Sequence, residues 1–339
     1  MLALAVALID CLVIWRLGPA GLPLLVAGLA AVTFVAARVL GGPRPPGMHL
    51  TARRRIALWA GEIAAAWSLF LFWLPLERWL MPRDCAARVS GATGGTGNAG
   101  SSESAHGDNV PPPVLLIHGY VNNAGALWRL WKALVDKGLG VYTLNLEPVY
   151  SSIDRYPPLM VARVDAIRRT TGAATVTLVC HSMGGLAARA YFRYCAAQGI
   201  EPGVAKVVTL GSPHHGTMCA RSEWSANGRQ MAPASAWLRQ LAADEAADDA
   251  AHGAAQDMAH EEAHPAQLRS PWPCPLVSIY SMDDNVVVPQ RSARLDHARN
   301  IELDGIGHMS LPLAQRVIDL VLAEVTAPVA AHLPRRTAS

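Results

Sequence analysis

Apolar residues run in three long blocks before residue 83, at 2–15, 22–39 and 56–76. A helix that crosses a bilayer needs about 20 mostly apolar residues. The second and third blocks are long enough, whereas the first is shorter and contains Asp10. Residues 18–23, with two glycines and two prolines, separate the first two. The pattern changes after residue 113. Short β-branched runs at 114–117, 141–146, 175–180, 205–210, 276–280 and 300–303 predict strands. Between and after them, residues 126–137, 158–170, 183–198 and 311–325 predict helices. Apolar runs separated by amphipathic helices predict βαβ units, and so a mostly parallel sheet flanked by helices.

Two stretches fit neither pattern. Residues 84–113 are rich in Gly, Ser and Ala and end in three prolines, so they are expected to form a flexible linker with little to bury. Residues 221–270 interrupt the alternation with Ala, Asp, Glu and His, and are expected to be a lid-like insertion, helical in part. The expected organisation is a membrane anchor of two to three helices at 1–83, the linker, a catalytic α/β domain at 114–327, and a tail at 328–339.

Composition sharpens the division. The 339 residues are 51% hydrophobic and only 16% charged, with a net charge of +3, too little for a protein held to nucleic acid by charge. Residues 1–83 carry eight arginines, no lysine and three acids, and half of the ten tryptophans. Five of those arginines lie between Arg38 and Arg55. A positive loop stays in the cytoplasm. If the third block then crosses, the catalytic part lies outside, on the periplasmic side of a bacterial inner membrane. A cleaved leader is disfavoured, because no basic residue precedes the first block and no A-x-A site follows it at the right distance. The rival reading makes the blocks core helices of a soluble protein, which would need a very large partner surface. Six cysteines, one of them in the first block, imply no disulfide framework.

The chemistry sits after the strands. Residues 175–185, TVTLVCHSMGG, read as a strand, a serine and a glycine-rich helix start. A serine on so tight a strand-to-helix turn is pushed outward, and the helix N-terminus aims N–H groups at a developing oxyanion. Cys180 stands where the usual pattern has its first glycine, and is small enough for the turn. A nucleophilic serine needs a base, and the base an orienting acid. Asp283 and Asp284 follow the strand at 276–280, with Asp284 preferred, and His308 lies in a glycine-flanked loop after the last strand. Ser182, Asp284 and His308 are thus the expected nucleophile, acid and base. The backbone N–H groups of Tyr120 and Met183 are the expected oxyanion donors, and His118 is read as holding the loop. His214 and His215 are read as wall residues, and no histidine spacing matches a zinc site.

The motifs LLIHGY, VCHSMGG, TLGSPHHGT, IYSMDDNVVVP, ARNIEL and GIGHMSL, in this order from Val114 to about Val325, resemble those of the α/β-hydrolase superfamily, in particular bacterial triacylglycerol lipases. The resemblance implies an α/β-hydrolase fold and hydrolysis of carboxylic acyl esters by Ser182, Asp284 and His308 without a cofactor, and although some lipases of the superfamily carry structural calcium, nothing in the sequence identifies ligands for a metal. The implied partners are a lipid or other acyl-ester substrate and a membrane, with no nucleic acid. An acyltransferase with the same triad, or a non-catalytic membrane scaffold with a hydrolase shell, are the alternatives. The resemblance does not reach residues 1–113.

Overall fold

A computed structural model describes residues 28, 32–35, 37–42, 48, 50–82, 84–87, 110–220, 225–257 and 272–328. The first apolar block and most of the tail and linker lie outside them. Seven strands form one sheet in the order β1-β3-β2-β4-β5-β6-β7. They are β1 (Asp84–Cys85), β2 (Val114–Ile117), β3 (Val141–Leu144), β4 (Val176–His181), β5 (Val204–Leu210), β6 (Leu276–Ser281) and β7 (Arg299–Leu303). Strands β2 to β7 pair in parallel and only β1 runs antiparallel, at the edge.

Side chains alternate across each strand. Leu115, Ile117, Leu178 and Cys180 enter one apolar layer, under helices Pro157–Thr171 and Met183–Gln198. Val114, Leu116, Val179 and Val208 enter the other, under Trp128–Asp136 and Gln315–Thr326. With both faces covered, every residue of β2, β4 and β6 is buried. That is why these runs read as mainly apolar stretches rather than alternating ones.

Two elements differ from expectation. Asp84 and Cys85 were assigned to the linker, but they form β1 and pair with Tyr142 and Val141. The third apolar block is one helical rod from Ala52 to Leu80, 29 residues long, and long and apolar enough to cross a membrane. We name its parts α1 (Ala52–Ser68), a π-helical turn at Leu69–Trp73, and α2 (Leu74–Leu80). This rod packs along the α/β domain. Leu58, Glu62, Ala65 and Leu69, spaced at helical intervals, are its buried stripe. The Trp73 ring stacks on Trp128 at 3.8 Å between centroids and 9° between planes. Asn123 Nδ2 donates to Leu74 O at 2.9 Å. Residues before the rod also dock: Asn285 Nδ2 donates to Thr33 Oγ1 at 3.1 Å, and Phe34 and Ala37 are buried.

The insertion contains two helices, Ala226–Gln230 and Ala236–Asp257. Leu238 and Leu241 are buried, and the Trp237 indole N–H donates to Asp154. A salt bridge from Arg189 to Glu245, 2.7 Å and nearly buried, ties the longer helix to the helix that follows Ser182. This part of the insertion is therefore packed beside the elbow helix. Residues 221–224 and 258–271 lie outside the described residues.

Candidate active site

Strand β4 ends at His181, and the helix Met183–Gln198 starts one residue later. Ser182 makes the turn alone, with φ 54° and ψ −124°. A non-glycine residue rarely holds such a backbone, and the strain persists only where the surroundings enforce it. Here Ser182 N–H donates to Leu210 O at 2.9 Å, which pins the turn to β5. Opposite lies Gly119, whose Cα is so close that an added Cβ would stand 2.7 Å from Ser182 Cβ. Only glycine lets the loop after β2 approach this far. The next residue is Tyr120, the expected oxyanion donor. Met183 is the first helical residue, and its N–H has no intrahelical partner.

The three residues expected to act together do meet. His308 Nε2 lies 3.0 Å from Ser182 Oγ, and His308 Nδ1 lies 2.8 Å from Asp284 Oδ2. All three are buried. Asp284 is itself fixed, because its Oδ1 accepts the N–H groups of Val286 at 2.8 Å and Val287 at 2.7 Å. Its neighbour Asp283 faces elsewhere and accepts the Gly305 N–H at 2.8 Å. Burial alone would depress the His308 imidazole. The charge and hydrogen bond of Asp284, with the charge of Glu62, outweigh it and raise His308 above its ordinary value. A base must be neutral to accept a proton, so turnover is expected to rise with pH through that value. The acid limb of kcat/KM against pH should have its midpoint above about 6.5, the ordinary value of a histidine. A midpoint below it would contradict this electrostatic picture.

Sequence reasoning missed the groups that hold the histidine loop. His181 Nε2–H donates to His308 O at 3.1 Å, and Asn285 Oδ1 accepts His308 N–H at 3.1 Å. Burial pushes His181 well below its ordinary value, so it stays neutral. Its place directly before the nucleophile was the available signal. Glu62 on α1 accepts from Met309 N at 2.6 Å, Ser310 N at 3.0 Å and Ser310 Oγ at 2.6 Å. Its only signal was being the sole acid in an otherwise apolar block. His118 donates from Nδ1 to Gly119 O at 2.8 Å and accepts Leu146 N–H at Nε2 at 2.9 Å. Burial lowers it to about 4, so it serves as a neutral brace. His214 and His215 are occupied with Thr209 Oγ1 at 3.2 Å and Arg294 O at 3.0 Å. Burial pushes the Cys180 thiol up, away from the reactive thiolate.

A parallel sheet between helix layers, with a strained serine at a strand-to-helix turn, is the alpha/beta-hydrolase fold. A family model of that description matches residues 112–264. Two triacylglycerol lipases, from Pseudarthrobacter phenanthrenivorans and Burkholderia plantarii, are each 34% identical over 115 residues. The match covers 31% of this chain in both cases, and 34% and 30% of theirs. The chain thus spans about a third of the length of the curated relatives it matches. Among solved structures, the lipase BlEst2 of Bacillus licheniformis in its propeptide form aligns with a TM-score of 0.50 at 17% identity. That alignment covers 70% of this chain and 54% of the other, and it shows likeness of fold.

Proposed function

We propose that this protein is a serine hydrolase that cleaves carboxylic acyl esters. The observation that carries the reading is the unbroken row Ser182 Oγ, His308 Nε2, His308 Nδ1, Asp284 Oδ2, with contacts of 3.0 and 2.8 Å. Ser182 Oγ attacks the ester carbonyl carbon while His308 Nε2 takes its proton. The N–H groups of Tyr120 and Met183 hold the oxyanion. The carbon–oxygen bond to the alcohol then breaks, and the alcohol leaves with the proton from His308. Water, deprotonated by the same nitrogen, opens the acyl-enzyme and releases the acid. Asp284 keeps the imidazole oriented and balances its charge. An alcohol in place of water would make the second half an acyl transfer. The triacylglycerol lipase relatives favour a lipid-like ester as substrate. Turnover of p-nitrophenyl esters of graded acyl length, with covalent labelling by a fluorophosphonate, tests the reading. A folded protein that neither turns over nor labels would refute it.

We further infer that the N-terminal segment holds the domain at a membrane. Eleven of the fifteen exposed large apolar side chains among the described residues precede residue 81, including Phe70, Phe72 and Trp79. The side is decided by α1. If α1 crosses the bilayer after the arginine loop, the domain lies outside the cytoplasm, as the sequence alone suggests. The contacts of Glu62 and Trp73 favour a second reading. In it, α1 stays on the domain, its outer apolar face meets the bilayer, and the domain shares the side of the arginines. A phosphatase fused after Ser339 of the full chain is then expected to be inactive, and a cytoplasmic reporter at the same position active. The opposite pair of results would restore the crossing.

A further inference from the structure

We propose that Glu62, on the apolar N-terminal helix, is a positioning residue for the general base His308. The proposal rests on the hydrolase reading above and adds to it a part of the chain that precedes the catalytic domain by more than 30 residues.

Three observations converge. Glu62 is 2% exposed and sits at the centre of the stripe by which α1 lies on the domain. Its two carboxylate oxygens accept three hydrogen bonds, all from the two residues that follow His308. Burial raises Glu62 above the ordinary carboxylate value, yet each of its two oxygens accepts a backbone N–H, from Met309 and from Ser310, a pair of acceptors that an amide cannot supply. On the other side of His308, Gly307 lies flat against the same carboxylate. A Cβ there would stand 2.4 Å from Glu62 Oε2 and 3.0 Å from its Cγ. The histidine is thus gripped before and after by one side chain from a helix about 250 residues away in sequence.

This grip complements the others. Asn285 holds His308 N–H, His181 holds His308 O, and Asp284 holds the ring at Nδ1. Those three arrive from β4 and from the loop after β6, and Glu62 adds a hold from α1 on the two residues that follow His308. Without it, residues 307–310 lose three bonds at once, and the imidazole is free to drift from Ser182. A displacement of about 1 Å in a catalytic group costs on the order of a hundredfold in rate.

The test uses the full-length protein. Glu62→Ala should lower kcat for a short p-nitrophenyl ester by about tenfold to a hundredfold, with KM nearly unchanged, because the change displaces the base rather than a group proposed to bind the ester. Glu62→Gln, which keeps one acceptor oxygen, should fall between. Ser310→Ala removes one of the three bonds and should reduce kcat less. Its effect should be non-additive with Glu62→Gln, as expected of partners in one contact. Labelling of Ser182 by a fluorophosphonate should slow in the same order. A melting curve for each variant gives the folded fraction, so rates are compared per folded molecule. If Glu62→Ala does not fold, Glu62→Gln and Ser310→Ala carry the test alone. Wild-type kcat in these variants, or additive effects, would overturn the proposal while leaving the hydrolase reading intact. A wild-type protein that neither turns over nor labels would refute the hydrolase reading instead.

Discussion

Replacing Ser182 by alanine is expected to lower kcat for ester hydrolysis by about 10⁴-fold or more, leaving only what the oxyanion donors and substrate binding supply. Ser182 Oγ is the one hydroxyl within reach of His308 Nε2 among the described contacts, at 3.0 Å. Alanine retains the Cβ that faces Gly119 and the N–H that bonds to Leu210, so the turn keeps its packing. The variant should melt close to the wild type and take up no fluorophosphonate. Retention of more than about a hundredth of wild-type kcat by the purified variant would remove Ser182 from the mechanism.

Asp284→Asn should cost a comparable factor, about 10⁴ in kcat, for a different reason. The carbonyl oxygen of the new amide would stay on the Val286 and Val287 N–H groups, which hold Asp284 Oδ1 now. Its NH2 would then face His308 Nδ1, where Asp284 Oδ2 accepts at present. An amide that donates there forces the imidazole proton onto Nε2, and that nitrogen can no longer accept from Ser182. Asp283→Asn keeps an oxygen for the Gly305 N–H and leaves the imidazole alone, so its effect should be small. If Asp283→Asn proves the more damaging of the two, the orienting role belongs to that residue.

The sheet was legible because its signal is local. Strands buried on both faces are mainly apolar, and β2, β4, β5 and β6 carry that mark, with bounds read to within a residue or two of their ends. Ser182, Asp284 and His308 were legible because the chemistry demands a particular residue at the end of particular strands, in a particular order. The role of α1 was not legible. Its length and apolarity satisfy a bilayer and a protein groove equally, and a window of sequence contains no term for a partner 247 residues away. The charge at position 62 was the clue, since an acid inside an apolar helix needs a partner wherever the helix lies. The short β1 escaped for a similar reason. Two residues have no periodicity, and only their pairing with β3 defines them.

That pairing changes the meaning of the stretch between residues 86 and 113. Cys85 lies beside Val141 on one edge of β3, and Val114 lies beside the same residue on the other. Two strands flanking a common neighbour are about 10 Å apart. The Gly/Ser-rich stretch therefore leaves the sheet and returns to it at nearly the same point, so its contour length sets no distance between the N-terminal helix and the domain. A single peptide-bond cut within it is expected to leave the N-terminal helix on the α/β domain, held by β1, the Trp73–Trp128 stack and the carboxylate of Glu62.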